Sequence, residues 1–280
     1  MRKSWRAKIN KIFVFYIPML LVLAFTLFPL YWTIVTSLKH EGDIFRFPVD
    51  YLPNPATLEN FRTAWVGVGF STYFVNSLIV AIASMVIVTF FSIFTGYALS
   101  RFKFRFKGAF MFMLLSTQFI PVAMLIVPLF IIFRNLDLLN NHLSLIIINT
   151  TIQLSFNSVL MRGFVTGIPV ELEEAAAIDG CSKIGAIFRT VIPLLLPGIV
   201  AIAAFSFVGV WNEFLFAFMF ISRRSLFTLP VGLRSLMGEF SINFGALAAG
   251  SIIALIPALL MFMYLQKYLI AGLSAGSVKG

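Results

Sequence analysis

Polar side chains that interrupt long apolar runs are the residues of this sequence with the clearest chemical potential. Amides and one acid occur in these runs beside aromatic residues, namely Asn76, Gln118, Asn149, Gln153, Asn157, Asn212 and Glu213, with Tyr97 and Trp211 as neighbours. An unpaired amide or carboxylate is costly in an apolar environment, so each must bond either a neighbouring helix or a polar solute. The sequence leaves both roles open for every one of them. Glu213 is the one acid that falls inside a predicted span, although near its end.

A second group of chemically distinctive residues lies between Gly167 and Gly180, where three glutamates follow Pro169. Proline suits the first turn of a helix, and glutamates there place negative charge at the positive end of the helix dipole. Three alanines then favour helix with little bulk, and Gly180 supplies a stop. Ser182 can cap a second short helix that runs to about Val191. This acidic, small-residue helix is suited to docking in a groove of another protein.

Other kinds of chemistry have little support in the sequence. No nucleophile, base and orienting group share a catalytic spacing, and no Walker A motif with its phosphate-binding lysine is present. Cys181 is the single cysteine, which excludes an internal disulfide framework, and His40 and His142 are too isolated to indicate a metal site. The formal charge of +10 comes from short basic clusters beside apolar runs, which favours anionic lipid over nucleic acid as the partner.

The elements that carry these residues are long apolar helices. With 60% hydrophobic side chains and 33 Phe in 280 residues, the chain has more apolar surface than one soluble core can bury. Spanning a bilayer takes roughly 20 apolar residues. We therefore predict one membrane domain over residues 1–280, with six spans near 12–38, 72–99, 108–133, 143–166, 195–221 and 244–270. The first run is too long for a cleaved signal peptide and is interpreted as a retained span.

The distribution of basic residues predicts the orientation of these spans. If both termini are cytoplasmic, the cytoplasmic segments hold about two thirds of the 21 Lys and Arg residues, as the positive-inside rule requires. The segment after the fourth span then lies in the cytoplasm. We expect a multi-pass protein of the cytoplasmic membrane, with an irregular external loop between Lys39 and Ser71.

Several motifs together resemble a known family. Glu174-Ala175-Ala176, Gly180 and the later Pro193 and Pro197 resemble the EAA loop of binding-protein-dependent ABC importer permeases. Further agreement with the carbohydrate branch, the maltose-permease-like subunits, is found in residues 53–61, Asn76-Ser77, Gly96-Tyr97-Ala98, residues 211–214 and the tail 272–280. The resemblance implies an all-α integral membrane protein with six transmembrane helices and a cytoplasmic coupling helix, the type I permease fold of ABC importers.

The resemblance also implies a mechanism and a set of partners. The coupling loop would be residues 167–197, with an ATPase-docking surface formed by Glu171, Glu174, Ala175, Ala176, Asp179 and Gly180. The chain itself would need no cofactor, because ATP and Mg would be used by two copies of a separate ATP-binding subunit. The other implied partners are a second homologous permease, an extracytoplasmic solute-binding protein and membrane lipid. The cargo would be a sugar or oligosaccharide. The residues that would line its pathway are Asn76, Gln118, Asn149, Gln153, Trp211, Asn212 and Glu213.

Two alternatives to a sugar importer remain at this stage. The first is a related ABC permease for a polyol, glycerol phosphate or polyamine, because the docking loop indicates an ATPase partner and says little about the transported solute. The other is an ion-coupled secondary transporter, which is disfavoured because the sequence shows no repeat and no pair of intramembrane acids. An enzyme is not expected.

Overall fold

The computed structural model describes residues 12–238 and 242–276 of the chain, and side chains of residues 13–238 and 242–266. Within these residues the structure is helical and contains no strand beyond an isolated bridge between Met237 and Ile242. The α-helices are α1 (Ile17–Ser37), α2 (Glu59–Arg62), α3 (Phe70–Arg101), α4 (Lys107–Ser116), α5 (Ile126–Asn135), α6 (His142–Thr166), α7 (Glu171–Ile178), α8 (Lys183–Ala186), α9 (Ile192–Leu194), α10 (Leu196–Trp211), α11 (Leu215–Phe220), α12 (Leu229–Ser235) and α13 (Phe244–Gly276). Short π-helical and 3₁₀ turns join several of them: Ile12–Tyr16, Glu41–Asp43, Thr63–Val68, Thr117–Phe119, Val122–Leu125, Ile187–Val191 and Arg224–Leu226.

The long helices have the length and composition of membrane spans. Four described helices are long and apolar enough to cross a bilayer, and two bent helix pairs bring the number to six if each pair is one span. The first candidate span buries none of its most apolar window within this chain, and Phe25 is 83% exposed. A helix that is apolar all round needs lipid or another protein around it. The chain is an all-α integral membrane protein.

The run predicted as a third span, residues 108–133, is not one straight helix. Its two halves, Lys107–Phe119 and Val122–Asn135, meet at an angle of 92°. Proline has no backbone N–H and disfavours helical geometry in the residue before it. Ile120, which precedes Pro121, is accordingly extended with φ −77° and ψ 117°. The predicted third span therefore consists of two helices joined by this break.

The run predicted as a fifth span, residues 195–221, is also interrupted. A 73° bend separates Lys183–Leu194 from Leu196–Trp211, and α10 ends at Trp211 before α11 begins at Leu215. Pro193 and Pro197 flank the bend, and neither has a backbone N–H that could continue the helical hydrogen bonding there. Asn212, Glu213 and Phe214 occupy the second break.

The described residues fall into two compact units. The first comprises the described residues up to Phe70 with those of Leu233–Leu255, and the second comprises Ser71–Gly232 with the described residues from Ile256. In the first unit, Glu41 accepts hydrogen bonds from the backbone N–H groups of Phe244 and Gly245, both at 2.8 Å, and so caps the start of α13. Buried Asn60 bonds the carbonyls of Ser37 and Lys39, which fixes the chain leaving α1.

The core of the second unit joins α6 to the chain that returns into α10. Its buried members are Met161, Val165, Ile168, Val191, Leu195 and Ile202. Gly96 brings α3 very close to α6, because a Cβ at this position would lie 2.7 Å from Met161 Cγ and 2.8 Å from the backbone nitrogen of Arg162. These contacts make the ends of α3 and α6 a tightly packed base for the segment that follows.

Candidate functional site

The acidic segment, defined as Glu171–Ala186, consists of α7, a turn and α8. Pro169 and Val170 precede α7, and its three glutamates all lie in the first turn. The helix ends in a Schellman motif, since the N–H of Cys181 donates to the carbonyl of Ala176 at 2.9 Å and the N–H of Gly180 to that of Ala177 at 3.1 Å. Gly180 has φ +86°, a conformation that other residues rarely adopt.

Ser182 begins the second half of the acidic segment. Its Oγ accepts a hydrogen bond from the backbone N–H of Gly185 at 3.1 Å, which satisfies one of the free donors at the start of α8. Ala186 is buried, and Val191 farther along belongs to the core of the second unit. The acidic segment is therefore attached to the core through the chain on both of its sides.

The outer surface of the acidic segment is open to solvent. Of the residues predicted to dock an ATPase, Glu171, Glu174, Ala175, Asp179 and Gly180 are exposed, whereas Ala176 is half-buried. Three large apolar side chains are exposed beside them: Leu172 at 41%, Ile178 at 87% and Ile184 at 68%. Exposed carboxylates around apolar side chains form a surface that can both contact an apolar groove and pair with basic residues.

Glu173 differs from its acidic neighbours because it is turned inward. Its Oε1 accepts a hydrogen bond from Nε of Arg101 at 2.6 Å, and its Oε2 accepts one from the hydroxyl of Tyr97 at 2.7 Å. Arg101 also donates from Nη2 to the carbonyl of Ile168 at 2.8 Å. The sequence analysis did not single out Glu173, since its partners lie more than 70 positions away. Tyr97, interpreted there as an aromatic neighbour of the polar candidates, donates its hydroxyl hydrogen to this carboxylate.

Three of the predicted solute-pathway amides are bonded within the chain. Asn76 is 8% exposed and donates to the carbonyls of Ser225 and Phe227, both at 2.9 Å. Asn149 is 5% exposed and donates to the carbonyl of Leu145 one turn earlier. Asn212 is exposed and donates to the carbonyl of Val208 at 2.9 Å. All of these hydrogen bonds use the amide nitrogen and none uses the amide oxygen. Contact of these residues with a solute therefore stays a prediction.

Two other amides lie in different settings. Gln153 on α6 is partly exposed and lies against Gly209 of α10. Its side-chain nitrogen is so close that a Cβ added to Gly209 would lie 2.1 Å from it. Gln118 is exposed in the bend after α4 and donates to Thr117 Oγ1 at 3.3 Å. The structure therefore distributes these candidates over α3, α6 and the two helix breaks, and does not gather them into one pocket among the described residues.

Trp211 and Glu213 both stabilise the break between α10 and α11. The indole of Trp211 is 2% exposed and lies between the rings of Phe74 and Phe207, at centroid distances of 5.5 and 5.6 Å. Glu213 accepts the backbone N–H groups of Phe216 at 2.7 Å and Ala217 at 3.1 Å, one with each carboxylate oxygen. Glu213 thus caps α11, a role that explains an acid at this position without any solute.

Metal chemistry has no evident place in the described part of the chain. No group of three or more His, Cys, Asp or Glu side chains comes together there. Cys181 is a free, partly exposed thiol in the turn between α7 and α8. What the arrangement offers is a mechanical attachment point on a rigid helical base.

Comparison with known proteins shows the family of the chain. Residues 88–274 match the family described as the binding-protein-dependent transport system inner membrane component. The sulfoquinovosyl glycerol transport system permease protein SmoH of Agrobacterium fabrum is 35% identical over 254 residues, which cover 91% of this chain and 89% of that protein. The diacetylchitobiose uptake system permease protein DasC of Streptomyces coelicolor is 35% identical over 253 residues, covering 90% and 92%.

A solved structure has the same fold. A chain of a bacterial ABC transporter involved in the import of the acidic polysaccharide alginate superposes with a TM-score of 0.80 at 22% identity, covering 92% of this chain and 97% of that one. The fold class predicted from the sequence, the all-α permease fold of ABC importers, is confirmed. With a family model matched over most of its length and close relatives along nearly all of it, the chain belongs to the binding-protein-dependent transport system inner membrane components.

Proposed function

We propose that this chain is the membrane-spanning permease subunit of an ATP-driven importer that takes up a sugar or oligosaccharide by alternating access. Membership of the family makes it a transport component. The observation that carries the rest is the acidic segment, an exposed helix with a defined start and stop that is bonded to the end of the long helix α3. Such a segment can transmit force from a motor to the spans.

The exposed face of the acidic segment would dock a separate ATP-binding subunit. Ala175 leaves room for close approach of another backbone, while Ile178 offers an apolar side chain that is 87% exposed. Glu174 would pair with a basic residue of the ATPase through a charge-assisted bond. Glu171, Ala176, Asp179 and Gly180 would complete the docking surface within the coupling loop 167–197. ATP and Mg belong to that subunit in this proposal.

The proposed complex has two copies of the ATPase, a second homologous permease and an extracytoplasmic solute-binding protein. Both termini and the acidic segment would face the cytoplasm, an orientation supported by the excess of Lys and Arg on that side. The terminal clusters before residue 12 and after 276 lie outside the described residues. The first candidate span, which is unburied within this chain, would be covered by lipid and by the second permease.

A sugar or oligosaccharide is the best supported cargo. The names of two relatives refer to a glycoside, sulfoquinovosyl glycerol, and a disaccharide, diacetylchitobiose. The amides Asn76, Gln118, Asn149, Gln153 and Asn212, with Trp211 and Glu213, remain the proposed contacts for it in this chain. A permease for a polyol, glycerol phosphate or polyamine is the second candidate, because the docking surface is independent of cargo.

The docking proposal is tested by reversing one exposed charge. Glu174→Arg places a cation where the proposal needs an acid to pair with a basic residue of the ATPase. The amount of ATPase recovered with the tagged chain, from cells that express the whole complex, should therefore fall. Glu59→Arg makes the same charge change at another exposed glutamate in the first turn of a short helix and should leave recovery unchanged. Equal recovery of the ATPase with both variants would contradict docking through Glu174.

A further inference from the structure

The side chains of Arg101, Tyr97 and Glu173 connect the acidic segment to α3. Tyr97 and Arg101 are four residues apart on one helix, so their side chains lie on the same face and reach the same carboxylate. Each donates to a different oxygen of Glu173, at 2.7 and 2.6 Å. Arg101 also bonds the carbonyl of Ile168, in the chain that leads from α6 into α7. Arg101 therefore binds both α7 and the chain that leads into it.

This connection is sheltered from solvent. The side chains of Arg101 and Glu173 are only 12% and 13% exposed. The other ion pair among the described residues, Arg46 with Asp43, is far more exposed and has a separation of 3.9 Å. Screening by water and salt weakens an exposed pair much more than a sheltered one. Loss of one partner of a sheltered pair also leaves the other charge without compensation.

The end of α3 is in turn packed tightly on α6. Gly96 lies against the backbone of Arg162, Nε of Arg162 donates to the carbonyl of Leu99 at 3.3 Å, and the hydroxyls of Ser100 and Thr166 are 3.0 Å apart. A displacement of α7 that is carried to Arg101 therefore reaches two long helices together. The chain on either side of the acidic segment is held in the core by Ile168 and Val191.

We propose that Arg101 and Glu173, assisted by the hydroxyl of Tyr97, form a strut through which movement of the acidic segment is transmitted to α3. Arg101 and Glu173 are positioning residues: they contact neither solute nor ATP, and they keep α7 and α3 moving as one body. The inference rests on the proposed function, since it assigns a transmission route to the segment that the ATPase would dock. The strut uses the inward face of α7, so it is separate from the docking residues.

The test measures solute uptake per ATP hydrolysed in proteoliposomes that contain the complete complex. Arg101→Gln and Glu173→Gln each remove one charge of the strut. We expect uptake per ATP to fall at least about fivefold, because typical coupling between two sites changes an equilibrium by about that factor or more. ATP hydrolysis by the assembled complex should continue. Arg101→Gln should have the larger effect, because it leaves a sheltered carboxylate unpaired and also loses the bond to Ile168. Tyr97→Phe, which keeps the ring, should lower the ratio less.

A charge swap and a matched control separate transmission from simple stability. The double variant Arg101→Glu with Glu173→Arg should recover part of the lost coupling. Lys103→Gln removes one charge from an exposed residue in the loop that follows α3 and should leave the ratio unchanged. If the strut variants only reduce the amount of assembled complex, and uptake per ATP in the remainder equals that of Lys103→Gln, the strut proposal is wrong.

The same experiment distinguishes failure of this inference from failure of the proposed function. A wild-type complex that contains the ATPase and couples uptake to hydrolysis, together with strut variants that couple equally well, overturns the strut alone. A wild-type chain that yields uptake without any ATPase overturns the proposed function, and the strut with it.

Discussion

The close approach of α3 and α6 at Gly96 leads to a sharp prediction for Gly96→Ala. The added methyl would lie 2.7 Å from Met161 Cγ and 2.8 Å from the backbone nitrogen of Arg162. A side chain can rotate away, but a helix backbone cannot. Restoring a contact of about 3.5 Å to that nitrogen requires the two helices to separate by roughly 0.7 Å. Overpacking of this kind typically costs about 1–3 kcal/mol.

Gly163→Ala is the matched control for this prediction. Gly163 lies inside α6, as Gly96 lies inside α3, and no atom comes within 4 Å of the Cβ it would gain. Both changes give the same gain in helix propensity, up to about 1 kcal/mol, so their difference isolates the packing cost.

The assay is thermal unfolding of the purified complex in detergent. Its readout is the temperature at which the chain loses solubility. We expect Gly96→Ala to lose stability at a lower temperature than wild type, and Gly163→Ala to match wild type or exceed it. Equal unfolding temperatures for the two variants would refute the close approach, and with it the argument that α3 and α6 move together.

Three further predictions concern single residues. Gly180→Val should reduce the yield of folded chain, because a backbone φ of +86° costs a β-branched residue about 1–2 kcal/mol. Gly180→Asn should reduce the yield less, and equal yields of the two variants would contradict the left-handed turn. Glu213→Ala should lower thermal stability by about 0.5–2 kcal/mol through loss of the two hydrogen bonds that cap α11, and unchanged stability would contradict this capping role. Glu41→Ala should destabilise the chain by a similar amount, about 1 kcal/mol, through the start of α13, while Asp43→Asn, in an exposed pair, should not.

The acidic segment could be predicted because its determinants are local. Pro169, the glutamates of the first turn and Gly180 lie within a dozen residues, and each acts on the backbone beside it. The structure has a helix at Glu171–Ile178 and a left-handed residue at Gly180. The family resemblance also depended on this short run, and the comparisons confirm it.

The remaining features depend on residues that are distant in the sequence. Glu173 could not be separated from Glu171 and Glu174 by any local pattern, because Arg101 lies 72 positions away. The carbonyls that Asn76 bonds are 149 and 151 positions away, so its partners were equally hidden. The bend at Pro121 depends on packing as well, because a proline inside an apolar run can be tolerated as a kink in a bundle or can break the helix.

The measurement that tests the central claim most directly is recovery of the tagged chain from detergent extract, followed by mass spectrometry and by ATPase assays with a panel of sugars. We predict that an ATP-binding subunit and a second permease are recovered with it, and that one sugar, together with its binding protein, stimulates ATP hydrolysis. Recovery of the chain without any ATPase would contradict the importer assignment and favour a secondary transporter.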